Sequence, residues 1–169
     1  MPLILVGGGS RSGKSSYALE LARERGTRRA FVATAEAFDD EMRERIALHR
    51  AERDQSFTTL EEPTDLARVV ADNGALFDVI LVDCLTLWVS NLMMKEHQDI
   101  DARGAELVRI AAASAATCIF VTNEVGCGIV PENTLARRFR DIAGRLNQQA
   151  GRSACEVYLL NFGIASRLK

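Results

Sequence analysis

Neither sign of charge dominates this 169-residue sequence, in which 21 basic residues face 23 acidic ones. Nothing therefore suggests a polyanionic partner, and nucleic acid is not expected. There are only two histidines, and the four cysteines (Cys84, Cys118, Cys127 and Cys155) lie far apart with no Cys-x-x-Cys pair. A zinc site is not expected, and reduced thiols in a cytoplasm fit best. Cys118 and Cys155 stand in apolar, strand-like runs and read as small buried hydrophobes. No apolar run is long enough to insert into a membrane; the longest, Ile110 to Val121, also contains Ser and Thr. No basic leader precedes the apolar start, which ends in a glycine-rich loop, so a signal peptide is not expected. Internal repeats, low-complexity segments and linkers are lacking too. One domain over residues 1–169 is expected, long enough to bury a core without staples.

What is present begins at once. Leu3-Ile4-Leu5-Val6 reads as a buried strand, and Gly8-Gly9-Ser10-Arg11-Ser12-Gly13-Lys14-Ser15 after it has P-loop spacing. The glycines allow backbone N–H groups to curl around a phosphate in dihedrals that a side chain forbids. A helix starting near Gly13 adds the positive end of its dipole. Lys14 would reach the outer phosphates, and Ser15 would offer its hydroxyl to Mg²⁺. A strand precedes this loop and an amphipathic helix follows it, so a nucleoside triphosphate is expected here.

The first helix should stop near Gly26, and Ala30–Ala33 forms a second strand with Thr34 and Ala35 leaving its end. Asp39 and Asp40 open a charged helix reaching about Arg53, with acids at the start where the dipole favours them. Phe57–Leu60 reads as a third strand, and Pro63-Thr64 introduces a helix from Asp65 to about Asn73. Asp78–Asp83 is the next buried strand, followed by an apolar helix containing Trp88 and a further helix from Asp101 to about Ala115. Thr117–Thr122 is another strand, with Asn123–Gly128 as a loop. Leu135, Phe139, Ile142 and Leu146 fall at helical spacing and read as a core face. Val157–Leu160 reads as the last strand. Strands alternating with helices predict an α/β fold, a three-layer sandwich of the P-loop NTPase kind with a mostly parallel sheet covered on both faces. Ligands of such sheets gather at the carboxyl ends of the strands, which puts Gly8–Ser15, Thr34, Asp83 and Asn123–Gly128 around one crevice.

Asp83 stands where a P-loop protein keeps the carboxylate that helps to hold Mg²⁺, although it could also cap the following helix. His49 lies on the charged helix among Arg43, Arg45, Arg50 and Arg53. By itself such a histidine reads as a solvated surface residue. Its functional reading is a nucleophile, because a neutral imidazole attacks phosphorus and its reference pKa is about 6.5. The arginines would favour that neutral form and offset phosphate charge. His97, in a polar stretch, reads as a loop residue. Arg137, Arg138, Arg140 and Arg145 could supply a phosphate-facing cation, or simply form a solvated helix face. Glu61 and Glu62 could bind a ribose or cap the helix after Pro63. The base-reading signature Asn-Lys-x-Asp is absent, which argues against a nucleotide-dependent switch.

Together these residues resemble the bifunctional adenosylcobinamide kinase / adenosylcobinamide-phosphate guanylyltransferase family of cobalamin biosynthesis. The resemblance spans nearly the whole chain. It rests on the phosphate loop, Ala33-Thr34-Ala35, Asp40-Glu41-Met42 with Arg45-Ile46 and His49, Glu61-Glu62-Pro63, and Asp83-Cys84-Leu85-Thr86 with Asn91-Leu92. Its most specific part is the long motif Val121–Gly126 with Gly128–Asn133, and Arg140–Gln148 completes the resemblance. The resemblance implies two reactions. ATP or GTP phosphorylates the aminopropanol hydroxyl of adenosylcobinamide. GTP then gives its GMP to that phosphate through a covalent enzyme–GMP intermediate and releases pyrophosphate.

His49 matches the family's guanylylated residue. The family's GTP contacts fall on Gly8–Ser15 (Gly8, Gly9, Ser10, Arg11, Ser12, Gly13, Lys14, Ser15), on Ala33, Thr34 and Ala35, on Arg50, Ala51, Glu52 and Arg53, and on Glu61 and Asp83. A homotrimer is implied in the same way. The sequence departs from the family at Asp54, where proline is frequent, and at Phe57, where tryptophan is frequent. Trp88 and Phe139 are apolar candidates for the corrin ring, but core is their simpler reading.

The two reactions impose a geometric conflict. Kinase action needs the γ-phosphorus beside the cobinamide hydroxyl, whereas guanylylation needs the α-phosphorus about 3–3.5 Å from His49. Either the His49 helix moves or the loop grips different phosphates in the two steps. A P-loop small-molecule kinase without nucleotidyl transfer is the alternative within the same class, and a regulatory NTPase the alternative outside it.

Overall fold

The computed structural model describes residues 3–36 and 55–169. The chain runs β1 (Leu3–Gly8), α1 (Lys14–Arg25), β2 (Arg29–Ala33), β3 (Phe57–Glu61), α2 (Leu66–Asn73), β4 (Val79–Asp83), α3 (Leu85–Met94), α4 (Ile100–Ala113), β5 (Thr117–Asn123), α5 (Thr134–Ser153), β6 (Glu156–Asn161) and β7 (Ile164–Arg167). The charged helix expected between Asp39 and Arg53 lies outside the described residues.

The seven strands form one sheet in the order β3-β2-β4-β5-β1-β6-β7. All pairings are parallel except the last, in which β7 turns back antiparallel along β6. A parallel sheet buried on both faces should read as continuous apolar runs, and β1, β4 and β5 do. Alternate residues of these strands enter opposite layers. Ile4, Val6, Leu81, Ile119 and Val121 pack with Ala18, Leu19, Leu21 and Ala22 of α1. Leu3, Leu5, Ile80, Val82, Cys118 and Phe120 pack with α2 to α5 on the other face. Each of the larger side chains contributes about 1.5–3 kcal/mol by leaving water. Trp88 belongs to this second layer, as read from the sequence, and its indole N–H donates to the Thr64 carbonyl at 2.8 Å. Phe139 is half-buried against the same layer.

Three expectations are corrected. Val157–Leu160 is not the last strand, because β7 follows it after the two-residue turn Phe162-Gly163; the polar composition of Ile164-Ala165-Ser166-Arg167 hides an edge strand that buries little. Cys155 is exposed while Cys118 is buried, since Cys155 precedes β6 at the sheet's lower edge and Cys118 sits inside central β5. Leu135 is exposed rather than part of a core face.

The exposure of Leu135 follows from where α5 lies. The Thr122 hydroxyl donates to the Asn147 side-chain carbonyl at 2.7 Å, and Asn147 Nδ2 donates to the Asn123 carbonyl at 3.3 Å. Asn147 is thus level with the carboxyl end of β5. Further along α5, Gly151 approaches Leu5, and beyond it Cys155 N–H donates to the Leu3 carbonyl. The helix therefore runs antiparallel to β1. Its first thirteen residues, about 20 Å at 1.5 Å per residue, stand beyond the rim of the sheet. Leu146 lies against Gly104 of α4 and is buried together with Ile142, whereas Leu135, about two to three turns earlier, is exposed.

Candidate functional site

Strand register places the carboxyl ends side by side: Gly8 opposite Asn123, Asp83 opposite both Val121 and Ala33, and Ala33 opposite Glu61. Two backbone bonds extend these pairings past the strands, from Glu124 N–H to the Gly8 carbonyl at 3.0 Å and from Thr34 N–H to the Asp83 carbonyl at 3.3 Å. The structure thus brings Gly8–Ser15, Ala33–Ala35, Glu61, Asp83 and the Asn123 loop onto one rim. His49 and Arg50–Arg53 lie outside the described residues.

The loop itself needs its glycines. A Cβ on Gly8 would stand 2.5 Å from Ser12 Oγ and 2.7 Å from the Leu160 carbonyl oxygen. Gly13 takes φ +91°, a left-handed conformation that costs other residues energy. That conformation turns the chain into α1, whose first turn has neither a side-chain cap nor an acidic residue. Among the described residues no side chain caps its first N–H groups, which suit an anion and are reinforced by the helix dipole. The Lys14 ammonium folds back over the loop and donates to the Gly9 carbonyl at 3.0 Å. From behind, Gly163 N–H donates to the Ser12 carbonyl at 3.1 Å, so the β6–β7 turn braces the loop. The Ser12 hydroxyl is buried and, among the described residues, has no hydrogen-bond partner.

Beside the loop the rim is tied by one hydroxyl. Thr34 Oγ1 accepts from Cys84 N–H at 2.8 Å and donates to the Cys84 carbonyl at 2.9 Å. Asn91, buried inside apolar α3, donates to the Thr34 carbonyl at 2.8 Å and the Pro63 carbonyl at 3.1 Å. Thr86 Oγ1 accepts from Asn123 N–H at 2.7 Å, linking α3 to β5. These bracing roles of Asn91 and Thr86 have one signal in the sequence, a polar side chain within an otherwise apolar helix.

Cys84, not Asp83, is the N-cap of α3, its sulfur accepting from Leu87 N–H. The capping alternative for Asp83 therefore lapses. Burial, with the Asp83 charge adding to it and Lys14 opposing, pushes the Cys84 thiol up to about 11, which leaves it inert at neutral pH. Asp65 is the N-cap residue of α2 and makes no side-chain cap bond, while Glu62 braces the turn that leads into α2, accepting from Thr64 and Asp65 N–H at 2.9 and 2.8 Å. Burial alone would raise its carboxyl, but those two N–H donors and the Thr64 hydroxyl hold it below the ordinary value. Glu61 is exposed at the end of β3.

The arginines of α5 divide. Arg145 is committed to Asp101 through two bonds of 2.8 and 2.9 Å, and Arg137 folds onto the Pro131 and Glu132 carbonyls. Arg138 remains exposed. Ser15 at the start of α1 and Asp83 across the rim provide one hydroxyl and one carboxylate. Such a hard-oxygen pair suits Mg²⁺, which keeps most of its shell for water and phosphate oxygens. No cluster of three or more His, Cys, Asp or Glu that would form an all-protein metal cage occurs among the described residues. Nor is any helix among them long and apolar enough to cross a membrane.

Residues 4–168 match the family described as cobinamide kinase / cobinamide phosphate guanyltransferase. The chain is 40% identical, over 181 aligned positions, to the bifunctional adenosylcobalamin biosynthesis protein CobU of Escherichia coli (strain K12), covering 99% of each chain. It is 40% identical over 166 positions to the CobP protein of the same description from Pseudomonas aeruginosa, covering 98% of this chain and 96% of that one. The CobU protein of Salmonella typhimurium is 39% identical over 181 positions, with 99% coverage of both. Among solved structures, a prototypical ATPase from the type III secretion system of pathogenic bacteria superposes with a TM-score of 0.59 at 10% identity. That match covers 98% of this chain and 56% of the other, and it speaks to the fold alone.

Proposed function

The chain belongs to the cobinamide kinase / cobinamide phosphate guanyltransferase family, and from that membership we propose how its residues divide the two transfers. It is a transferase of cobalamin biosynthesis. In the first transfer the cobinamide hydroxyl oxygen bonds to the γ-phosphorus of a nucleoside triphosphate, the nucleoside diphosphate leaves, and the hydroxyl proton is released. In the second, an imidazole nitrogen of His49 bonds to the α-phosphorus of GTP and pyrophosphate leaves. A phosphate oxygen of cobinamide phosphate then takes the GMP, which frees the imidazole and gives cobinamide-GDP.

The observation that carries this reading is the phosphate loop. An uncapped helix start, a left-handed Gly13 and the Lys14 ammonium over the Gly9 carbonyl together offer directed N–H groups and a positive charge. Such preorganised donors stabilise charge on a transferring phosphoryl group. Ser15 and Asp83 would hold Mg²⁺, which would neutralise phosphate charge when bound. Ala33–Ala35 and Glu61, on the same rim, take the nucleoside side of GTP, together with Arg50–Arg53. Residence in the cytoplasm and assembly as a homotrimer belong to the same reading.

The test uses GTP labelled at its α-phosphorus. After incubation and denaturation the protein should retain label that is acid-labile and alkali-stable, the signature of a phosphoramidate. His49→Ala should abolish it while Mg²⁺-dependent nucleotide binding survives. A parent chain that binds GTP and acquires no label would be a kinase or a regulatory NTPase instead.

A further inference from the structure

The overhang of α5 and α4 beyond the sheet is not used by any step of nucleotide chemistry. It encloses a cleft of about 530 Å³ whose lining includes Asp99, Asp101, Arg137, Arg138, Asp141 and Arg145. Three carboxylates and three guanidiniums balance there, so the cleft has no excess charge with which to select a phosphate. With Arg145 held by Asp101 and Arg137 by two backbone carbonyls, it offers the exposed carboxylates of Asp99 and Asp141 and the exposed guanidinium of Arg138, acceptors beside a donor that complement a neutral carboxamide.

The segment entering α5 has a different character. Ile129 is 97% exposed, Val130 57% and Leu135 63%. Three large apolar side chains within seven residues make an uncovered patch of the kind that marks a binding surface. Arg137 fastens this segment to the cleft wall through its bonds to the Pro131 and Glu132 carbonyls. The segment leaves the sheet at Glu124, whose N–H is bonded to the first glycine of the phosphate loop. An apolar platform and the cleft therefore adjoin, on a segment that starts from the rim at the phosphate loop.

We infer that this overhang seats the acceptor substrate, a cobinamide, with the corrin face on Ile129, Val130 and Leu135 and the peripheral carboxamides in the Asp101–Arg145 cleft. The inference rests on the proposed function for the identity of the ligand. Chemistry selects the occupant: a corrin has broad apolar faces bordered by amides, and it must lie within reach of the transferring phosphorus. A nucleotide needs neither surface.

The experiment is equilibrium dialysis of cobinamide, read by its own visible absorbance and performed without nucleotide. Two exposed positions are varied separately, Arg138→Glu in the cleft and Ile129→Asp on the platform, with circular dichroism melting to verify folding. Each variant should bind cobinamide at least tenfold more weakly than the parent at an unchanged melting temperature. Affinity within twofold of the parent in both variants would overturn the inference. So would a fall in sedimentation mass with cobinamide affinity unchanged, which would assign the surface to contact between copies of the chain. Because GMP labelling of the parent is a separate measurement, failure of the proposed function would show there and not in the dialysis.

Discussion

Thr34 holds both backbone groups of Cys84, accepting from its N–H at 2.8 Å and donating to its carbonyl at 2.9 Å. One hydroxyl thereby joins the end of β2 to the residue after Asp83. Thr34→Val keeps the shape and removes both bonds, leaving a buried donor and acceptor unsatisfied. At roughly 1–3 kcal/mol for each such group, the expected loss is about 3 kcal/mol. Urea denaturation measures it. Because Asp83 is displaced with Cys84, the Mg²⁺-dependent part of nucleotide affinity should weaken more than the Mg²⁺-independent part.

Thiol reactivity should split the cysteines into pairs. Cys127 and Cys155 are exposed, whereas Cys84 and Cys118 are buried. Desolvation pushes both buried thiols up to about 11, so at pH 8 almost none of either is thiolate. Titration of the native protein with a disulfide reagent should show two fast thiols and two that react only on unfolding. A third fast thiol would contradict the packing of α3 or β5.

Asp78 fastens the α1–β2 turn. It accepts from Thr27 and Arg28 N–H at 3.0 and 2.8 Å and from the Arg28 guanidinium at 3.0 and 2.7 Å. The Arg28 side chain first, then the two N–H groups, hold its carboxyl well below the usual carboxylate range. A depressed native value means that the stabilisation is complete above the unfolded value of about 3.9 and drains away as pH falls below it. The melting temperature of the parent should therefore drop more steeply below roughly pH 4 than that of Asp78→Asn. Parallel melting curves for the two proteins would refute the assignment.

The β6–β7 turn is strained in a way that a substitution can relieve. Asn161 pairs with Ile164, and the two residues between them, Phe162 and Gly163, have φ of +54° and +77°. Two positive values in a two-residue hairpin loop define the turn that prefers Asn-Gly. Phe162 is 99% exposed, so its ring gains nothing from burial. Phe162→Asn should raise stability by about 0.5–1 kcal/mol, visible as a higher melting temperature.

Much of this architecture is legible in the sequence because buried parallel strands and a phosphate loop leave strong local signals. Leu3–Val6, Val79–Val82 and Thr117–Val121 are apolar on both faces, and glycines at Gly8 and Gly13 stand where backbone crowding and a positive φ require them. What escapes is set by non-local geometry. Leu135 shares the spacing of Ile142 and Leu146, yet only the height of α5 above the rim decides that nothing covers it. Cys155 differs from Cys118 by standing before its strand, β6, instead of within one, β5. The N-cap of α3 is Cys84 and not Asp83, and that of α2 is Asp65 and neither glutamate, choices among nearby candidates that dihedrals and not residue type decide. His49, the proposed nucleophile, lies outside the described residues, and the labelling experiment tests its role.

The strand order has a consequence for how the protein is made. β1, which is synthesised before both strands that flank it, is hydrogen-bonded on one side to β5 and on the other to β6, with Leu3 paired to Cys118 and Ile4 to Glu156. Neither neighbour exists until most of the chain has been synthesised, and such distant pairings form slowly. A nascent chain thus carries its phosphate-binding glycines without the strands that shape them until β5 and β6 have emerged, and the loop gains its brace behind Ser12 only once the β6–β7 hairpin has closed.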